Sequence, residues 1–174
     1  MRAEEAEFRG LVEQHQSMVF SIALRMLGDR GAAEEVAQDV FVALHGSLGR
    51  LESEEHVRFW LRRVTAHRAT DYLRRRLLRP EFMAEEWTEQ HDRHVDGRPF
   101  NTVAVGTRLE EMLLSLPEGL RGAIVLRYQE EMTPDEIAMV LEQPLATVKS
   151  NLHRGLGMLR RKAGLMLKEF VRER

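Results

Sequence analysis

Apolar positions along most of the chain recur every three or four residues, which is the spacing of one face of an α-helix. In the first part of the chain this pattern predicts three helices, beginning near Phe8, over 32–45 and over about 54–78. Glycine-containing breaks separate the three segments. Strand-like alternation of apolar and polar residues is absent. We therefore expect an all-α protein whose first domain, residues 1–78, is a bundle of three to four helices.

Residues 79–107 interrupt this pattern. The segment has no apolar period and contains Pro80, Gly97, Pro99 and Gly106. A connection of this length without structure is uncommon inside a compact domain, so the segment is predicted to be a linker. Helical spacing returns beyond it, and residues 108–174 are expected to form a second small helical domain.

The second domain contains a sharp helix start. Thr133 suits the N-cap position, Pro134 suits the first helical position, and Glu136 completes a capping box. The short helix that follows ends at a turn around 142–144, and another helix begins near residue 145. Two helices that meet across a tight turn are typical of a helix-turn-helix, which inserts the first turns of its second helix into the DNA major groove.

Short polar and basic side chains near the start of that second helix suit contact with base edges and phosphates. We predict that they point outward, at Thr147, Lys149, Ser150, Asn151 and Arg154. On these residues alone, a solvated helical hairpin with a basic face is the alternative.

Charge is segregated along the chain. Hydrophobic residues make up 43% and charged residues 31%, as in ordinary globular proteins, and the net charge is only −2. Residues 58–79 nevertheless carry eight arginines and one aspartate, a formal charge of +7. Residues 143–168 carry six basic side chains and no acid, whereas the linker has a net charge of −3. Two basic surfaces that flank an acidic connector favour a nucleic-acid partner.

The sequence disfavours secreted proteins, membrane-spanning proteins, metal sites and enzymes. The absence of cysteine excludes disulfides, thiolate metal sites and a cysteine nucleophile, and it suits the cytoplasm. No apolar run is long enough to span a membrane, and the first residues do not resemble a secretion signal. His91, His94 and Asp96 lie in the linker, where solvated side chains are a better explanation than a metal site. No phosphate-binding loop or catalytic motif is present, so we expect no enzymatic activity, cofactor, metal or small-molecule substrate.

Seven short segments carry a family resemblance. In the second domain, the segments Leu116–Arg121, Val125–Tyr128, Thr133–Ala138 and Thr147–Arg154 resemble region 4 of bacterial RNA polymerase sigma factors of the extracytoplasmic-function group. In the first domain, the segments Ala33–Phe41, Phe59–Val64 and Asp71–Arg76 resemble region 2 of the same family. Both domains occur in the family's order.

The resemblance implies a sigma factor that binds core RNA polymerase and directs initiation at specific promoters. Region 4 would recognise the minus thirty-five element through its helix-turn-helix. The second helix of region 2 would dock on the polymerase clamp through Glu35, Gln38, Asp39 and Phe41. The third helix would contact and melt the minus ten element through cations and planar rings, at Arg58, Phe59, Trp60, Arg62, Arg63, His67, Arg74, Arg75 and Arg76. The family also implies an anti-sigma protein as a further partner.

Some features depart from the family or leave alternatives open. His67 stands where the family usually has Asn, and His45 stands where Trp is common. Gly155 and Gly157 replace residues that favour helix, so they predict fraying or a bend. Trp60 fits a core position as well as a DNA contact. A polymerase-independent helix-turn-helix regulator and a pure interaction module remain alternatives, and in the favoured interpretation we expect two separate helical units, each with its own cationic surface.

Overall fold

The computed structural model describes the backbone of residues 2–78 and 108–172, and the side chains of residues 5–78 and 108–165. Within these ranges the regular structure is helical and no strand occurs, which confirms the all-α class. The helices are α1 (Arg2–Leu27), α2 (Arg30–His45), α3 (Glu54–Leu77), α4 (108–114), α5 (Glu118–Tyr128), α6 (Pro134–Leu141) and α7 (Leu145–Arg172), with a 3-10 turn at Leu48–Arg50 between α2 and α3.

Local capping explains where the helices of the first domain begin. The Asp29 carboxylate accepts a hydrogen bond from the backbone N–H of Ala32 at 2.7 Å, and Ser53 Oγ accepts one from the N–H of His56 at 3.1 Å. Gly28 ends α1 with a φ of +72°, a conformation that glycine adopts without steric cost. These caps are short-range, so the predicted bounds of α2 and α3 lie close to the observed ones, whereas α1 begins at Arg2 and not near Phe8.

The core of the first domain lies between α1, α2 and α3. Ile22, Leu44 and Leu61 are its largest fully buried side chains, one from each helix. Each belongs to the apolar stripe of its helix, as the three-four spacing predicts. The sequence therefore determines this bundle almost entirely through periodicity.

The two helical domains are in contact. Leu126 of α5 and Ile137 and Val140 of α6 belong to the same cluster of buried apolar side chains as Met26 and Leu61 of the first domain. Helix α5 packs on α1, and α6 packs on α3. The expectation of two separate units is therefore wrong for this arrangement, because apolar faces of the second domain are buried against the first. The linker, 79–107, lies outside the described residues.

A second, smaller core joins α7 to α4 and α5. It is formed by four buried residues and is covered by apolar side chains of α7, with Leu113, Leu116, Leu120 and Ile124 inside and Leu152, Leu156, Met158 and Leu159 over them. Helix α7 is continuous through both of its central glycines, so the prediction that they fray the helix is wrong. A Cβ added at Gly155 would lie 2.9 Å from Ile124 Cγ1, which shows that this glycine permits a close approach of α7 to α5.

Candidate functional sites: two cationic surfaces and an apolar groove

Local hydrogen bonds fix the start of α6, the first helix of the predicted helix-turn-helix. The predicted capping box is present: the N–H of Glu136 donates to Thr133 Oγ1 at 3.3 Å, and the N–H of Thr133 donates to Glu136 Oε2 at 2.7 Å. Hydrogen bonds from the backbone and side chain of Thr133 lower the pKa of the Glu136 carboxyl. Glu142 ends α6 in the left-handed conformation, with a φ of +53°. Helix α7 then begins at Leu145, as predicted for a helix-turn-helix.

The first turns of α7 present a polar and cationic surface. Thr147, Lys149, Ser150 and Arg154 are exposed, whereas Val148 is fully buried. Asn151 is only 7% exposed, so the prediction that it points outward is wrong. Its position, three residues after Val148, lies on the inward face of the helix.

Asn151 nevertheless contacts the exposed surface. Its Oδ1 accepts a hydrogen bond from Arg154 Nη2 at 3.2 Å, three residues further along the helix. The buried Asn151 amide therefore orients the exposed Arg154 side chain. Periodicity alone identified both side chains, but not this division between an inward support and an outward cation.

Helix α3 carries the second cationic surface. Arg58, Arg63, Arg74 and Arg75 are exposed. Two of them pair with acids on their own helix, Arg58 with Glu54 at 3.7 Å and Arg74 with Asp71 at 3.8 Å. Exposed pairs of this kind contribute about 0–1 kcal/mol. Replacing the carboxylate partner of such an arginine by a DNA phosphate therefore costs little free energy.

The aromatic residues of α3 are partly buried. Phe59 and Trp60 both pack against the core shared by the two domains, and each keeps part of its surface exposed. Each ring therefore combines a packing role with a remaining accessible area.

Three of the residues predicted to contact DNA face the second domain. Arg62 Nε donates to Glu130 Oε2 at 2.9 Å, and Arg63 Nη2 pairs with Glu142. His67 Nε2 lies 2.6 Å from the backbone carbonyl oxygen of Val140. The second domain thus engages Arg62 and His67, whereas Arg63 pairs with Glu142 while its side chain stays exposed.

An apolar groove of about 900 Å³ lies between α1 and α2. Of the four residues predicted to dock on the polymerase, Gln38 and Phe41 line it. Glu35 and Asp39 are exposed on α2 outside the lining, and Asp39 pairs with Arg68 of α3 at 3.3 Å. The remaining lining residues come from both helices: Phe8, Val12, Gln16, Ser17, Phe20, Arg30, Glu34, Ala37, Val42 and His45.

Most residues of this groove were not predicted from the sequence. Val42 is 74% exposed although it is apolar, and the ring of His45 meets the ring of Phe8 edge-on at 5.1 Å between centroids. The Arg30 guanidinium lies 5.6 Å from the centroid of the Phe20 ring. In the sequence, a valine directly after Phe41 was the signal that could have indicated an apolar surface on α2. The contribution of α1 to the groove depends on how the two helices pack.

Other candidate chemistry finds no support in the described ranges. Residues 5–78 and 108–165 contain no group of three His, Asp or Glu side chains that could hold a metal ion. Over the described residues, no helix has both the length and the apolar character needed to cross a membrane. His91, His94 and Asp96 lie outside these residues.

Two family models match the chain. The model described as Sigma-70 region 2 matches residues 11–78. The model described as Sigma-70, region 4 matches residues 107–159. The matched segments contain α2, α3 and most of α1 in the first case, and α4 to α6 with the first half of α7 in the second.

Curated relatives extend over nearly the whole chain. The ECF RNA polymerase sigma factor SigW of Bacillus subtilis is 27% identical, over 92% of this chain and 90% of that protein. The RNA polymerase sigma-E factor of Streptomyces coelicolor is 30% identical, over 90% of this chain and 86% of that protein.

Two solved structures are similar in fold. The sigma factor RpoE, in complex with the anti-sigma factor NepR from Bartonella quintana, has a TM-score of 0.74 at 16% identity, with 91% of this chain and 97% of that chain covered. CnrH, in complex with the cytosolic domain of CnrY, has a TM-score of 0.63 at 22% identity, with 92% and 90% covered.

Proposed function

The chain belongs to the sigma-70 family of RNA polymerase sigma factors, in its extracytoplasmic-function group, and we propose that its two helical domains divide promoter recognition between them. As a sigma factor it directs the initiation of transcription. Residues 1–78 would serve as region 2, 79–107 as the linker and 108–174 as region 4. Core RNA polymerase and promoter DNA are the proposed partners, in the cytoplasm. The chain would contribute no catalytic residue of its own, because RNA synthesis is the chemistry of the polymerase.

Recognition of the minus thirty-five element is assigned to the start of α7. The observation that carries this proposal is the exposed surface of Thr147, Lys149, Ser150 and Arg154, presented by a capped helix and a tight turn. Hydroxyl groups and cations on the first turns of such a helix reach base edges and phosphates in the major groove. Asn151 would act indirectly, by orienting Arg154.

Binding to core polymerase is assigned to the groove between α1 and α2. Its apolar walls, with Phe41 and the exposed Val42 at one side, suit the apolar stripe of a helix from a partner. Gln38 supplies a hydrogen-bonding group in the groove, and Glu35 and Asp39 supply negative charge next to it. Charges at the rim of an interface chiefly affect partner choice and association rate.

Melting of the minus ten element is assigned to α3. Its arginines would neutralise phosphates, and the exposed parts of Phe59 and Trp60 would stack on unpaired bases. Stacking of this kind is worth about 1–3 kcal/mol per base, which offsets much of the cost of unpairing. An anti-sigma partner remains a prediction from the family.

Promoter-specific transcription tests the proposal as a whole. The purified chain is mixed with core polymerase and a genomic promoter library, and the transcript start sites are mapped. We expect starts that share two sequence elements and that depend on the chain. Starts identical to those of core enzyme alone would contradict the proposed function.

Single variants of α7 test the assignment of the minus thirty-five surface. Lys149→Ala and Arg154→Ala should each weaken promoter binding by the holoenzyme, and the loss should shrink as salt rises if the side chain contacts a phosphate. Arg160→Ala is the matched control, because Arg160 is an exposed cation further along the same helix. Equal effects of all three substitutions would remove the assignment.

A charge reversal tests the polymerase surface. Asp39→Arg should lower the affinity for core polymerase several-fold, because it inverts the charge beside the groove. Glu13→Arg on α1 is the control, since Glu13 is exposed and does not line the groove. Wild-type affinity of the Asp39 variant in a fluorescence titration would exclude Asp39 from the interface.

A further inference from the structure

A small cavity lies where the two domains meet. Its volume is about 140 Å³, well below the roughly 300–1,000 Å³ of sites for drug-sized ligands. The walls come from the end of α1, the second half of α3, the start of α5, the end of α6 and the turn before α7. The lining residues are Met26, Thr70, Leu73, Arg74, Glu118, Gly119, Arg121, Gly122, Leu141 and Gln143. A ligand of this cavity is therefore small and contacts both domains at once.

Arg121 brings a buried positive charge to the cavity. The residue is only 9% exposed, and its guanidinium donates to the backbone oxygens of Met26, Leu114 and Leu116. These three acceptors are neutral carbonyl groups. Burial lowers the pKa of the Arg121 guanidinium, because the charged form loses its hydration. A buried cation of this kind is stabilised by an anion in direct contact with it.

Two buried polar atoms of the lining residues are unpaired. They are Nε of Arg121, which is a donor, and Oε1 of Gln143, which is an acceptor. Within the described part of the chain, neither atom has a hydrogen-bond partner. Buried polar groups of folded proteins are nearly always paired. The two atoms together indicate a ligand that accepts a hydrogen bond from Arg121 and donates one to Gln143.

The remaining walls favour a negative charge. Helix α5 begins at this cavity, and its N-cap residue, Pro117, offers no side-chain hydrogen bond, so the partial positive charge of the helix end is not satisfied locally. Arg74 adds a second cation, whose ion pair with Asp71 is long, at 3.8 Å, and exposed. Glu118 is the single acid among the lining residues. Two cations and a helix N-terminus thus outweigh one carboxylate.

We propose that this cavity binds a small oxyanion that has both acceptor oxygens and a hydroxyl group. An anionic oxygen accepts the hydrogen bond of Arg121 Nε at the start of α5, and the hydroxyl group donates to Gln143 Oε1. Inorganic phosphate has both groups at neutral pH. Sulfate has the acceptor oxygens but no hydroxyl group. The phosphodiesters of DNA also lack a hydroxyl group and carry bulky substituents on two oxygens, so free phosphate is the source that this site admits.

The bound ion stabilises the packing of the two domains. It joins Arg121 of α5 to Gln143 between α6 and α7, inside walls that also include Met26 of α1 and Thr70 of α3. These walls come together only in the folded chain. A ligand that binds the folded state and not the unfolded state raises the stability of the chain as its concentration rises.

Isothermal titration calorimetry on the full-length chain tests the ligand class. Phosphate, sulfate and dimethyl phosphate, which mimics the DNA backbone, are titrated at the same pH and ionic strength. We expect saturable binding of one phosphate ion per chain, and at least about tenfold weaker binding of the two anions that lack a hydroxyl group. Sulfate also controls for the general stabilising effect of such salts on folded proteins.

Two substitutions of Gln143 test the site itself. Gln143→Leu removes the acceptor and should weaken phosphate binding about tenfold or more. Gln143→Glu places a carboxylate beside the Arg121 guanidinium, so it should abolish phosphate binding and raise the melting temperature in phosphate-free buffer. Gln14→Leu and Gln14→Glu are the matched controls, because Gln14 is an exposed glutamine of α1 that does not line the cavity. Both controls should bind phosphate as the wild type does.

The N–H resonance of Arg121 Nε gives a local measurement in the unaltered chain. We expect its proton to shift downfield as phosphate is added, with the dissociation constant found by calorimetry, and to respond little to the same concentration of sulfate. This measurement does not depend on the folding of any variant.

Three results would overturn the proposal. They are the absence of saturable phosphate binding, equal binding of sulfate, and unchanged phosphate binding in Gln143→Glu. Calorimetric binding without a response of the Arg121 resonance would identify an adventitious ion only, bound elsewhere on the chain, and would overturn it as well.

Discussion

Gly155 provides a direct test of how α7 is positioned against α5. A Cβ at this position would lie 2.9 Å from Ile124 Cγ1, 3.3 Å from Ile124 Cδ1 and 3.6 Å from Leu120 Cβ. Ile124 is 3% exposed and its Cγ1 is attached directly to the branched Cβ, so it has little freedom to move away. Gly155→Ala therefore forces a shift in the core beneath the helix-turn-helix.

Two opposing effects set the magnitude. Alanine favours helix over glycine by about 1 kcal/mol in an interior position. Overpacking of a well-packed core typically costs about 1–3 kcal/mol. The overlap at 2.9 Å should outweigh the gain in helix propensity. We expect Gly155→Ala to lower the free energy of unfolding by about 1 kcal/mol.

Gly157→Ala is the matched control in the same helix. Its Cβ would meet only Arg161 Nη1, the end of a flexible side chain, at 3.8 Å. This variant should gain up to about 1 kcal/mol from helix propensity. Urea denaturation followed by circular dichroism, with the slope compared between variants, measures both changes. If Gly155→Ala stabilises the chain as much as Gly157→Ala does, the close approach of α7 to α5 is wrong.

Three further predictions concern stability. Arg121→Met should lower the free energy of unfolding, measured by urea titration, by roughly 3 kcal/mol. The buried guanidinium, whose pKa is lowered by burial, donates to three backbone carbonyl oxygens, and these would lose their partner. An unchanged urea midpoint would contradict this prediction. Thr133→Ala should lower the free energy of unfolding by about 1 kcal/mol. Since the pKa of Glu136 is lowered in the folded chain, the wild type should lose its stability advantage over this variant as the pH falls below the ordinary carboxyl value of 4.5. Thermal melts at several pH values measure this loss. His15 is buried, and burial, followed by the charge of Arg58, lowers its pKa. The unfolded chain therefore takes up a proton below pH 6.5 before the folded chain does, so stability should decline as the pH falls below 6.5. His15→Leu should reduce that decline, and an identical pH profile would refute the assignment.

Helix formation and helix ends were predictable from the sequence because they depend on residues within one turn of each other. The three-four spacing of apolar residues predicted α1 to α3, and the segment from Thr133 to Glu136 predicted the start of α6. The capping box formed as expected because each of its hydrogen bonds spans only three residues. The segments that resemble regions 2 and 4 are likewise contiguous, so the family was identifiable without coordinates.

The candidate surfaces were only partly predictable. The helical pattern correctly predicted that Thr147, Lys149, Ser150 and Arg154 are exposed near the start of α7. It did not predict that the packing of α7 buries Asn151. The groove between α1 and α2 was only half predicted, because the residues of α2 are visible in the helical pattern whereas the contribution of α1 depends on the packing of the two helices.

By itself, the sequence determined the helical class, the order of the two domains, the helix-turn-helix signature and the family, all of which are encoded in short segments. Only the tertiary structure decided that the two domains share a core and that Arg62 meets Glu130, which lies 68 residues away. The physical reason is range: caps and helical stripes arise from neighbouring residues, whereas a pairing between α3 and the segment before α6 depends on how buried apolar faces bring distant helices together.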